Sequence, residues 1–136
     1  GFTDGPRPWL PIAPEHLPKA ASGQAAAPSS LRNFYRAALA WRRRHPALVR
    51  GTLDLLPADN DVLAFVRQAP QDTDITAQTD VLCAFNLSAS VRHCSLPRDR
   101  SWHLLHGPTD APQATLEGDV LVLAPCSAAF AATSRT

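Results

Sequence analysis

Methionine is absent from all 136 positions, including the first, and cysteine occurs only three times. A translation product ordinarily begins with Met, and the chain opens on Gly1-Phe2-Thr3 with no cleavable targeting signal. The expectation is therefore a piece of a longer protein whose start lies upstream. Cys83, Cys94 and Cys126 form an odd set without C-x-x-C spacing, which argues against a disulfide framework or a zinc site. All three sit in apolar runs, so they read as small core residues, and a reducing cytoplasm fits them best. Surplus charge is missing too: a formal net charge of +1 gives no field that would gather nucleic acid or an anionic membrane. No apolar run approaches the roughly 20 residues that cross a bilayer. Neither nucleic acid nor membrane is expected as a partner.

Chemical motifs are equally scarce. His16, His45, His93, His103 and His106 make no H-x-x-x-H or H-E-x-x-H pattern, and no G-x-S-x-G elbow or Gly-rich phosphate loop is present, so no metal and no cofactor is expected. The twelve carboxylates fall mostly in turn sequences, where Asp bonds its own backbone, and no two sit at a spacing that demands a shared site.

What is present begins with Ser29 to His45. Leu31, Phe34, Tyr35, Ala38 and Leu39 recur at helical spacing, with Arg32, Arg36 and Arg43 off the centre of that stripe. A serine can cap its start, arginines complement the negative end of its dipole, and Pro46 is expected to end it. The apolar stripe must be buried against something. Before it, Pro6, Pro8, Pro11, Pro14, Pro18 and Pro28 predict an irregular ordered loop, with Ala20 to Ala27 as its mobile part.

After Gly51 the period changes to two. Candidate strands are Thr52 to Leu56, Val62 to Gln68, Val81 to Leu87, Val91 to Leu96, Trp102 to His106, Val120 to Leu123 and Ser127 to Ala132, separated by turn signals such as Gly118-Asp119. The pattern predicts a mainly β protein: an antiparallel β-sandwich preceded by a Pro-rich loop and one amphipathic helix. Trp41 and Trp102 are expected to pack between layers.

Gly1-Phe2-Thr3, Pro8-Trp9-Leu10-Pro11, Leu31-Arg32-Asn33-Phe34-Tyr35-Arg36 with Arg42 and Arg43, and Pro46-Ala47-Leu48 form an ordered series. It resembles the C-terminal part of α-glucosidases of glycoside hydrolase family 13, the α-amylase family, in the oligo-1,6-glucosidase-like branch. Val62-Leu63-Ala64-Phe65-Val66-Arg67 and Leu82-Cys83-Ala84-Phe85-Asn86-Leu87-Ser88 resemble strands of the sandwich called domain C in that family.

The resemblance implies a division. Residues 1–50 would be the last loop and last helix of a truncated (β/α)8 barrel, and residues 51–136 the C-terminal sandwich. It implies an activity, retaining hydrolysis or transfer of terminal α-linked glucose from short oligosaccharides. That chemistry uses an Asp nucleophile and a Glu acid/base about 5 to 5.5 Å apart. The family carries them, and a third Asp that grips the sugar, in motifs such as G-x-R-x-D and N-H-D, neither of which occurs here, so no catalytic residue is assigned and the chain alone is expected to be inactive. Phe2 and Trp9, on the loop that would follow the eighth barrel strand, either border the glucose pocket or brace the loop. The missing barrel would pack on Leu31, Phe34, Tyr35, Ala38 and Leu39. The rival reading is a free-standing carbohydrate-binding or structural β-sandwich module without catalysis.

Overall fold

The computed structural model describes residues 5–7, 9–71, 79–108 and 114–133. Two antiparallel sheets and a helical layer stack on one another. In chain order a 3-10 turn at Pro14–Lys19 leads to helix α1 (Ala21–Gln24), α2 (Leu31–Arg43) and α3 (Pro46–Arg50). Among the described residues eight strands follow: β1 (Thr52–Leu55), β2 (Val62–Gln68), β3 (Val81–Asn86), β4 (Arg92–Ser95), β5 (Trp102–Leu105), β6 (Ala114–Glu117), β7 (Val120–Leu123) and β8 (Ala128–Thr133). One sheet has the order β1-β2-β3-β8-β5 and the other β4-β7-β6.

The strand in the middle of the larger sheet explains the architecture. β3 reads Val-Leu-Cys-Ala-Phe-Asn, and all but the half-buried Phe85 are buried. A strand that is apolar on both faces must be covered on both. Leu82 and Ala84 look inward to the smaller sheet, sharing a core with Val62, Ala64, Val66, Cys94, Leu96, Leu121, Leu123, Ala129 and Ala131. Val81 and Cys83 look to the helices, where they meet Trp41, Ala47 and Leu48, with Phe65, Phe85 and Phe130 packed around. Cross-strand register fixes this division: Cys83 lies opposite Phe65 on one side and Phe130 on the other. A slip of one residue would exchange the two faces.

Helix α2 is anchored by its far end. The Trp41 ring sits 4.6 Å from that of Phe130 and 4.5 Å from that of His45, centroid to centroid, and is buried. Its N-terminus is capped by Ser30, whose hydroxyl accepts from the Asn33 backbone N–H.

Four sequence expectations need correction. The stretch Ala20 to Ala27 is not a featureless mobile run. Asn33 Nδ2 donates to the carbonyls of Gln24, Ala25 and Ala27, and Gln24 Oε1 accepts from the Arg32 backbone N–H, so side-chain amides tie the leader to α2. Pro46 does not simply end a helix; it opens α3 at a position where its missing N–H costs nothing. Strand β6 was not anticipated. It is four residues long with only Ala114 and Leu116 half-buried, and it pairs with β7 across the Gly118-Asp119 turn, where Gly118 takes φ 60°. Cys126 is exposed rather than a core residue, at a backbone φ of 49°. Trp102 packs on the inter-sheet core as expected, its indole N–H donating to the Pro97 carbonyl at 2.9 Å.

Candidate functional site

At 100° per residue, the apolar side chains of α2 occupy an arc of roughly 160°. The five-stranded sheet covers one side of it. Phe34, Ala38, Trp41 and His45 form the sheet-facing line, while Leu31, Tyr35 and Leu39 form a second line that stays largely exposed among the described residues, Tyr35 touching Phe34 edge-on. Leu31 is 64% exposed, Tyr35 57% and Leu39 48%. The stripe read from the sequence is thus real, but the described residues leave about half or more of this second line exposed.

Beside the ridge, α2 diverges from the sheet and leaves a mainly apolar groove of about 940 Å³. Phe34 and Ala38 form one wall, Phe85 and Phe130 belong to the sheet side, and Leu104 and Cys126 lie along its length. Further along the helix-side face, Leu53 and Leu55 on the edge strand β1 and Leu63 on β2 are also exposed. Exposed apolar side chains are thus grouped along α2, in the groove and on the β1 edge, rather than scattered singly.

Trp9, half of the sequence-assigned pair, is 96% exposed, with Leu10 beside it at 69%. Phe2 lies outside the described residues. Trp9 is not among the residues that line the groove beside α2. A tryptophan left so fully in water has no packing role within the described chain.

Asp61, Asp80, Asp99 and Asp119 are each held in a structural pairing. Asp80 accepts from the Ala69 backbone N–H at 2.7 Å and from Arg100 at 2.5 Å, and Arg100 also grips Asp99 at 2.6 Å. The Arg100 hydrogen bond holds the Asp99 carboxyl below its ordinary value, and Asp99 in turn raises the guanidinium. Asp61 pairs with Arg92 and Asp119 with Arg98. Among the described residues no group of His, Cys, Asp and Glu is arranged to hold a metal ion. Burial pushes the Cys83 thiol up to about 12, against a smaller opposing pull from Arg67, and raises that of Cys94, with Asp59 adding to it. Neither is poised as a nucleophile. No helix among the described residues is long and apolar enough to cross a membrane.

Three layers with these sheet orders define the class, an antiparallel β-sandwich carrying a helical flank. Residues 75–130 match the family described as "Domain of unknown function (DUF3459)". A "Probable alpha-glucosidase" of Rhizobium meliloti is 33% identical over 100 residues, covering 74% of this chain and 17% of the relative. The crystal structure of the α-glucosyl transfer enzyme XgtA superposes with a TM-score of 0.77 at 32% identity, over 94% of this chain and 22% of that one. That of a trehalulose synthase mutant in complex with Tris gives a TM-score of 0.72 at 26% identity, over 98% of this chain and 23% of that one. The chain is thus a homologue of the C-terminal part of α-amylase-family enzymes, glycoside hydrolase family 13, with α-glucosidases among its relatives. It spans about a sixth of the length of the curated relative and less than a quarter of either solved chain.

Proposed function

We propose that this chain is the C-terminal part of a cytoplasmic α-glucosidase that releases or transfers terminal α-linked glucose from short oligosaccharides with retention of configuration. The observation that carries this is the uncovered ridge of Leu31, Tyr35 and Leu39 on an otherwise well-packed homologue of such enzymes. In this reading residues 1–50 complete a (β/α)8 barrel, and residues 51–136 form its C-terminal sandwich. The barrel supplies both catalytic carboxylates and lies on Leu31, Phe34, Tyr35, Ala38 and Leu39. Trp9 and Phe2 then stand on a loop at the mouth of the barrel, bordering the glucose pocket, where the exposed indole acquires neighbours.

Burying the ridge against that body removes apolar side chains from water at roughly 1.5 to 3 kcal/mol each, enough to hold the two parts together. The contribution of this chain to catalysis is then indirect: it braces the last barrel helix and positions the loop that follows the eighth strand. A free-standing sugar-binding module finds little support, because Trp102 is committed to the inter-sheet core and to Pro97.

The test is glucose release from maltose and isomaltose, comparing this chain with the longer polypeptide read from the genomic DNA ahead of the Gly1 codon. The longer polypeptide should release α-glucose as first product, and the chain alone none. Saturable sugar binding by the isolated chain, abolished by Trp102→Ala and not by Trp9→Ala, would support the module instead.

A further inference from the structure

We infer that the surface covering the α2 ridge is a protein surface with an apolar strip bordered by carboxylates, which pair with Arg32, Arg36 and Arg43. The inference rests on the reading of the ridge as a docking face and adds the chemistry of what docks. Helix α2 contains four arginines, Arg32, Arg36, Arg42 and Arg43, and not one carboxylate. On the helical wheel Arg32, Arg36 and Arg43 fall within roughly 40° of one another, along the margin next to Leu39. Arg42 closes the C-terminal end of the Leu31-Tyr35-Leu39 line. Arg36 and Arg43 are exposed, and no described acidic side chain pairs with either; among the described residues Asp61, Asp80, Asp99 and Asp119 pair with other arginines.

A solvated helix gains from i,i+4 pairs of opposite charge. This helix forgoes every such pair and gathers one sign on one margin of an uncovered apolar line. That arrangement suits a partner bringing the opposite sign.

Two other occupants fit worse. A second copy laid antiparallel on the same ridge would set one arginine row against the other, a like-charge contact that disfavours it. An anionic bilayer would suit an apolar line with basic margins, but it presents a flat surface that cannot fill the groove running beside Phe34 and Ala38.

The test uses the 136-residue chain and two synthetic helical peptides with the same leucine strip, flanked by Glu in one and by Lys in the other. The Glu-flanked peptide should bind at least about tenfold more tightly at low ionic strength, and the preference should shrink in 0.5 M salt, where the Debye length falls to roughly 4 Å. Arg36→Glu with Arg43→Glu should reverse the preference while the chain, still folded by circular dichroism, loses at most about 1 kcal/mol from the charge change in the last turn of α2. Arg36→Gln with Arg43→Gln should merely abolish it. Equal binding of the two peptides, no binding of the Glu-flanked one, tighter binding to phosphatidylglycerol vesicles, or formation of a discrete dimer would each overturn the inference. None of these outcomes bears on glucose release, so the enzyme reading and this one fail separately.

Discussion

The indole N–H of Trp41 donates to the backbone carbonyl of His106 at 2.7 Å, across 65 residues of sequence. This bond joins the far end of α2 to the segment leaving β5, while the same ring packs on Phe130 of β8. The helix is therefore bolted to the sandwich at one end and diverges from it at the other, which creates both the groove and the exposed ridge. Trp41→Ala should destabilise the chain by about 3 to 5 kcal/mol through the lost aromatic volume. Trp41→Phe should cost less, since most of the packing survives and mainly the hydrogen bond is lost. Urea unfolding of the two variants checks the order.

Gly51 joins α3 to β1 at an ordinary φ of −65°, so its backbone conformation alone would tolerate alanine. Space would not: an added Cβ meets the Gln68 carbonyl oxygen at 2.1 Å and the Ala47 carbonyl oxygen at 2.5 Å. Gly51→Ala should destabilise by about 1 to 3 kcal/mol or more, the cost of overpacking against backbone, and a thermal melt measures it.

Among the three cysteines only Cys126 should react with a thiol reagent near pH 8 in the folded chain, and all three after unfolding. The Cys83 thiol ordinarily titrates near 9 and is pushed up to about 12 by burial, so the folded state holds its proton more tightly than the unfolded state. Its contribution to stability is complete below pH 9 and lost progressively as pH rises through about 12. Denaturation midpoints recorded from pH 8 to pH 11 should fall, with labelling of Cys83 appearing only as the chain opens.

Tyr35→Glu and Leu39→Glu should change the stability of this chain by no more than about 1 kcal/mol, because each side chain is about half exposed and Tyr35 keeps only an edge contact with Phe34. Both should weaken the binding of a hydrophobic dye. In the longer polypeptide the same substitutions should lower the unfolding temperature, since there each places a charge in an apolar contact.

Much of the fold was legible. Strand Val62–Gln68 has the bounds its alternation predicts, and the candidate strand Val81 to Leu87 is β3, one residue shorter at Val81–Asn86. The hidden parts have local physical reasons. β6 contributes two half-buried side chains over four residues, too short for a period to emerge. The turn at Ala21–Gln24 is held by the amides of Gln24 and Asn33, a tertiary pairing with no sequence period. At the candidate site, spacing gave the ridge but not its division: Trp41, read only as an interlayer aromatic, carries the sheet contact, and Leu31 and Tyr35 do not. Trp9 was singled out by family resemblance alone, and its exposure is the one structural fact attached to it.

Tyr35 is the only tyrosine of the chain and stands at the centre of the exposed line, so its nitration reports directly on whether that line is covered. The account predicts fast nitration of Tyr35 in the isolated chain and strong protection of the same residue, located by peptide mapping, in the longer polypeptide. Equal reactivity in the two would contradict it.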